Sequence, residues 1–208
     1  MSAYSFFTIE DTSEGIHKEK GSKFLSFAIP VDSELSVKQK LAELKKKYYD
    51  AHHHCYAYVL GADKDKFKVF DDGEPNHSAG APILGQLKAK DLTNVLLVVV
   101  RYFGGVKLGV GGLVQAYKAA AEDALANSII SEKAVTKTIV IGFDYRYNTE
   151  TMRLIKEFDL EILDQHYGNE GKLVAKMQLK FEEKILAKMK LLNDLKIPIQ
   201  INFSEPAD

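Results

Sequence analysis

Residues 94–121 read NVLLVVVRYFGGVKLGVGGLVQAYKAAA, and their pattern decides the fold. From Val95 to Val100 the chain is apolar at both alternating sets of positions, which predicts a strand buried on both faces in the middle of a sheet. Arg101 and Tyr102 close it, and Gly104, Gly105, Gly109, Gly111 and Gly112 follow. Glycine admits positive φ and close approach of the backbone to another surface, so the stretch is expected to form a demanding loop. An alanine-rich helix is predicted over 112–127, its first N–H groups free at the loop's edge and favourable to an anion. Just upstream, residues 71–87 read DDGEPNHSAGAPILGQL, a polar turn that enters a short helix over 79–88 with Pro82 in its first turn. One apolar strand framed by two such segments marks a site.

Outward from it, strands are predicted over 4–9, 23–31, 54–60 and 67–70, with 14–22 as a polar strand or hairpin. A helix is predicted over 33–47, capped by Asp32 or Ser33 and closed by Lys45-Lys46-Lys47. Beyond residue 134 the order changes to strand, helix, two strands, helix and strand, over 135–145, 149–158, 160–167, 173–181, 182–195 and 197–203. That βαββαβ order predicts a ferredoxin-like module, with Pro198 at an edge or a strand start. The expected organisation is α+β in two domains, 1–130 and 134–208, divided in the polar stretch Ser131-Glu132-Lys133.

Three groups of residues carry candidate chemistry. Arg101 and Lys107 bracket the glycine loop, one a planar fork of donors and the other a flexible point charge, and together with Gly104, Gly105, Gly109, Gly111 and Gly112 they form a candidate phosphate or RNA site. The segment has neither the Gly-Lys-Ser/Thr of a Walker loop nor GxGxxG spacing, so no nucleotide cofactor is expected. The same glycines also fit a tight structural crossover. Tyr102, Phe103 and Tyr117 read as base-stacking rings or as core. An alternative polar or metal site gathers Asp71, Asp72, Glu74 and His77 with His53 and His54, an oxygen- and imidazole-rich set fit for a divalent ion or acid–base work. Against it, Asp-Gly and Glu-Pro are turn signals, and His52-His53-His54-Cys55 on a strand would split its donors between two faces. No metal and no nucleophilic role for Cys55 are expected, since neither a closed ligand set nor a partner base is visible.

Composition narrows the classes. Of 208 residues 46% are hydrophobic and 27% charged, ordinary for a folded chain. A net charge of −1 requires that any nucleic acid be met by a local basic patch. The single cysteine excludes an internal disulfide, and MSAYSFFTIEDTSEG carries no basic region followed by an apolar one, so a cytoplasmic protein without a membrane span is expected.

AHHHCYAYVLG at 51–61, FDDGEPNHSAGAPIL at 70–84 and residues 94–121, in that order, make the chain resemble the IMPACT family and in particular its YigZ-like bacterial members. After Asp-Gly-Glu-Pro the family usually has Ser-Gly-Thr, where this chain has Asn76-His77-Ser78. The resemblance implies a first domain similar to the βαβ-containing fold of ribosomal proteins and of domain IV of elongation factor G, and a second similar to that factor's domain V. It also implies a place in translational control, because eukaryotic relatives bind the large activator of a starvation-sensing initiation-factor kinase, while bacterial members have no assigned activity. The reading is a non-catalytic translation-associated regulator that binds RNA or a ribosome-associated partner through the glycine-rich basic loop. A metal-assisted hydrolase and a pure protein-interaction regulator are the alternatives.

Overall fold

The computed structural model describes residues 4–203; the ends of the two expected domains, 1–3 and 204–208, lie outside the described residues. The chain forms two compact units, residues 5–133 and residue 4 with 134–203.

In the first unit, β2 (Ser13–Glu19), β3 (Ser22–Pro30), β4 (His53–Leu60), β5 (Lys66–Phe70) and β6 (Val95–Tyr102) form one sheet in the order β2-β3-β6-β4-β5. Every neighbouring pair is antiparallel. β6 is central, and both its faces are covered. Leu96, Val98 and Val100 pack with Phe27, Ile29 and Tyr58 beneath α1 (Glu34–Lys47). Val95, Leu97 and Val99 pack on the other side against α2 (Gly80–Ala89) and α3 (Gly109–Ala126). A strand without a solvent face has no reason to alternate, which accounts for its unbroken apolar run.

α1 starts where its cap is strongest. Ser33 Oγ accepts from the Ser36 amide, and Ser36 Oγ accepts from the Ser33 amide, a reciprocal capping box. α3 buries Ala116, Ala120, Ala121 and Ala124, and small residues let it lie close to the sheet. It comes so close to β2 that a Cβ on Gly15 would sit 2.4 Å from the Ala124 amide nitrogen. α3 also begins at Gly109 rather than near Gly112. The polar stretch expected as a boundary is itself a strand: β7 (Ile130–Ala134) pairs with β1 (Ser5–Ile9). Glu10 N–H donates to the Ile129 carbonyl at 3.0 Å, and Ser5 Oγ donates to Glu132 at 2.5 Å.

The second unit runs β8 (Thr136–Phe143), α4 (Asn148–Glu157), β9 (Glu161–Tyr167), β10 (Gly171–Gln178), α5 (Glu182–Asp194) and β11 (Ile199–Phe203). Its antiparallel sheet has the order β11-β8-β10-β9, the arrangement of a split βαβ sandwich. Ile139, Ile141, Phe143, Leu173, Ala175 and Met177 face Leu154, Ile185 and Met189 of the helices. The intervening Lys172, Val174, Lys176 and Gln178 form the other face of β10, which carries no aromatic ring. Pro198 precedes β11, an edge strand, as a residue without an N–H must.

Candidate functional site

Strand period places Arg101. It follows Val95, Leu97 and Val99 on the face toward α3, so its guanidinium is drawn inward and only 6% of the side chain is exposed. Nη1 donates to Glu74 Oε1 at 2.5 Å, and Nη2 lies 3.4 Å from Ser22 Oγ. The guanidinium carbon sits 5.3 Å from the Phe24 ring and 5.6 Å from the Phe103 ring. Arg101 therefore does not present its fork at the surface. It holds the base of the loop.

Its partner comes from the acidic turn. Asp72 (φ 43°) and Gly73 (φ 87°) are both left-handed, and the Glu74 amide donates to the Asp71 carbonyl at 2.9 Å. Positive φ at both central positions is the signature of a primed turn, which Asp-Gly favours. The turn throws Glu74 inward, its side chain 4% exposed, where it accepts from Arg101 and from Tyr117 Oη at 2.7 Å. Tyr117 is fully buried and meets Cys55 Sγ at 3.3 Å, and that thiol donates to the Asp71 carbonyl at 2.9 Å. Burial pushes both the Cys55 thiol and the Tyr117 phenol up, so the sulfur stays protonated and is no nucleophile.

The three carboxylates thus do separate work. Asp71 Oδ1 accepts from the amides of Ala79 (3.0 Å) and Gly80 (2.8 Å), and Oδ2 from that of His77 (2.9 Å), capping α2 from eight residues upstream. Burial pushes Asp71 up, but these three donors together outweigh it and hold the carboxyl below its usual range. Asp72 Oδ2 accepts from the His54 amide at 2.6 Å, and its carbonyl accepts from His53 Nδ1 at 2.8 Å. That bond fixes the proton on Nδ1 and turns Nε2 toward Glu74 Oε1, 3.8 Å away. His53, Asp72 and Glu74 are brought together. His54 lies on the opposite face of β4, pushed down by burial against the opposing pull of Asp72, and His77 is in the exposed turn. Among the described residues no group of three or more His, Cys, Asp or Glu is arranged to hold a metal ion.

Over this cluster lies the glycine loop. Of its glycines, Gly104 is the one held against another segment's backbone: its amide donates to Ser22 Oγ at 3.2 Å, and a Cβ there would lie 1.9 Å from the Gly21 carbonyl carbon. Two backbones thus touch, and the loop is pinned to the β2–β3 turn. Gly105, Gly109 and Gly111 meet nothing within 4 Å of an added Cβ. α3 opens without a side-chain cap and with no acidic residue in its first turn. Lys107 is exposed beside it, and Lys20 of the β2–β3 turn is exposed at the edge of α3; Lys18 and Lys23, paired across β2 and β3, are exposed on the opposite face of the hairpin. Of the three aromatic candidates, Tyr117 is core, Tyr102 bonds Asp50 through its hydroxyl at 2.8 Å, and Phe103 stands 41% exposed. A groove of about 350 Å³ runs beside α3, lined by His17, Glu19, Lys20, Leu108, Gly112 and Gln115. Sequence reasoning missed Tyr117 and Ser22 as members of the polar cluster, since only the strand register brings them to Arg101.

Comparison with known proteins places the chain in a family. Residues 20–125, which contain the buried cluster and the loop, match the Impact N-terminal domain. The IMPACT family member YvyE of Bacillus subtilis is 32% identical over 165 residues, covering 79% of this chain and 76% of that protein. YigZ of Escherichia coli, another member, is 32% identical over 154 residues, 73% of this chain and 76% of its own. A crystal structure of a hypothetical protein superposes with a TM-score of 0.75 at 28% identity, covering 99% of this chain and 100% of the other. A domain match over half of the chain and relatives aligned over most of it lead to one conclusion: the chain belongs to the IMPACT family.

Proposed function

We infer that this chain is a translation-associated regulator without covalent chemistry, and that it binds RNA or a ribosome-associated partner through the surface formed by residues 103–112. Membership of the IMPACT family supports the setting, and the expected likeness of the two units to domains IV and V of elongation factor G is part of the proposal. The observation that carries the site is the pinned, exposed loop: Lys107, an uncapped first turn of α3 and Lys20 of the β2–β3 turn lie at one edge, with the backbone of Gly105, Gly109 and Gly111 open to approach. Such a surface suits phosphate oxygens, which accept from backbone N–H groups and attract lysine. Arg101 serves it from below by fixing the loop rather than by touching phosphate.

RNA affinity should fall as salt rises, because neutralised phosphates release counterions. Lys107→Ala should weaken binding to all sequences by a similar factor and make the log–log salt slope shallower by about 0.7 on a single strand. Fluorescence anisotropy across a salt series, on variants that melt like the wild type, measures both. Salt-insensitive binding to one protein, with no RNA affinity, would instead support a purely protein-directed regulator. Co-sedimentation with one ribosomal subunit would locate the partner.

A further inference from the structure

We propose that Phe103 is a stacking platform for an unpaired base, which makes single-stranded RNA the ligand class of this surface. This rests on the RNA reading of the loop and adds to it a residue and a mode of recognition.

Phe103 is the first residue after β6, and leaving the sheet frees it from the alternation that buries its neighbours. An exposed phenylalanine normally costs solvation and gains nothing, yet this one is held in place. Its amide lies 3.4 Å from His52 Nδ1, and the His52 ring packs against it with centroids 6.2 Å apart and planes at 67°. The next residue, Gly104, is locked against Gly21. The Arg101 guanidinium lies over the ring at 5.6 Å and is itself clamped by Glu74, with its Nε buried and without a hydrogen-bond partner. With the cation and His52 packed on it, Phe103 is still 41% exposed, and that exposed ring surface is what a ligand would meet. Because ring and loop are fixed beforehand, little ordering remains to be done on binding.

The charges around the ring match a nucleic-acid backbone. Lys20 adjoins Gly21, whose backbone touches Gly104, and Lys107 follows in the loop. Both are exposed, and neither has an ion pair among the described residues. The acids at this end are engaged or few: Glu74 is held by Arg101 and Tyr117, Asp72 accepts from the His54 amide, Asp50 accepts from Tyr102, and Glu19 lies on the hairpin. An exposed aromatic ring on a loop that carries Lys107 and touches the Lys20–Gly21 turn has the composition of single-strand sites, where bases stack and the backbone follows the charge. A duplex keeps its base faces inside and could use only the lysines.

The test compares a short labelled oligoadenylate with the same strand annealed to its complement. Phe103→Ala should weaken single-strand binding by about 5- to 100-fold, the range for loss of one base–aromatic stack, and leave the salt slope unchanged because no phosphate contact is removed. Phe103→Leu, which keeps apolar volume without a flat face, should bind as poorly and covers the case in which alanine impairs folding. Phe103→Trp should retain affinity, and because the chain has no other tryptophan, its fluorescence should be quenched at saturation. Unquenched fluorescence with RNA bound, unchanged affinity in the alanine and leucine variants, or equal affinity for duplex would overturn the stacking role while the RNA reading stood. So would loss of a protein partner on Phe103→Ala with RNA affinity intact. No RNA affinity in the wild type would remove the RNA reading itself, and this inference with it.

Discussion

Arg101 and Glu74 form an ion pair almost wholly out of water, and such a pair is stable only while it is complete. Two desolvated charges repay their hydration through each other and their remaining bonds, here Tyr117 and Ser22. Removing one partner strands the other. Glu74→Gln should therefore cost about 3–5 kcal/mol, while adding Arg101→Met to it should cost less than the sum of the single changes. Urea denaturation of the four proteins gives the coupling, and additivity within error would show that the pair is not a unit. The sequence placed Arg101 beside the loop but not its direction. Period 2 continued from Val99 turns it inward, yet nothing local reveals an acceptor 27 residues upstream. Asp71 was legible as a turn residue, whereas its role as cap of α2 depended on how the chain returns past Ser78.

At the scale of the element, the loop and the first turn of α3 separate glycines that hold structure from glycines that leave space. Gly104 has no room for a side chain, so Gly104→Ala must push the loop off the β2–β3 turn and destabilise the protein. Gly111 has helical backbone and open space, so Gly111→Ala should raise stability by up to about 1 kcal/mol. If the same substitution also weakens RNA binding, the glycine serves the ligand rather than the helix. Thermal melts with binding on both variants decide this, and a destabilised Gly111→Ala would mean that the turn is strained in a way these contacts do not account for. Element type was readable almost throughout, because β6 and the helices have clear periods. Boundaries were not. The glycines implied a longer loop than exists, since propensity penalises Gly109 and Gly112 while the packing of Leu113, Ala116 and Tyr117 carries the helix back over them. Ser131-Glu132-Lys133 was polar enough to read as a linker, but a two-stranded ribbon that is mostly exposed is polar too.

For the whole molecule, each unit has its own core, so residues 5–133 expressed alone should unfold cooperatively. Calorimetry on that fragment checks it, and a melt without a cooperative transition would show that the cores are interdependent. The α+β organisation was legible because alternating and helical periods segregate along the chain. The register that assembles Phe24, Cys55, Glu74, Arg101 and Tyr117 was not, being set by pairings far apart in sequence. The ribbon of β1 with β7 has a topological consequence. The unit's first and last strands run side by side, about 5 Å apart as neighbours in a sheet. Where the chain starts is therefore incidental to this architecture. A circularly permuted version, with Lys133 joined to Ser5 through a short linker and new ends opened after Asp63, would retain every strand pairing of the unit. Deleting Ser5–Ile9 instead would remove buried Ile9 and the bond from Thr93 N–H to the Phe7 carbonyl, and leave β7 with nothing to pair against.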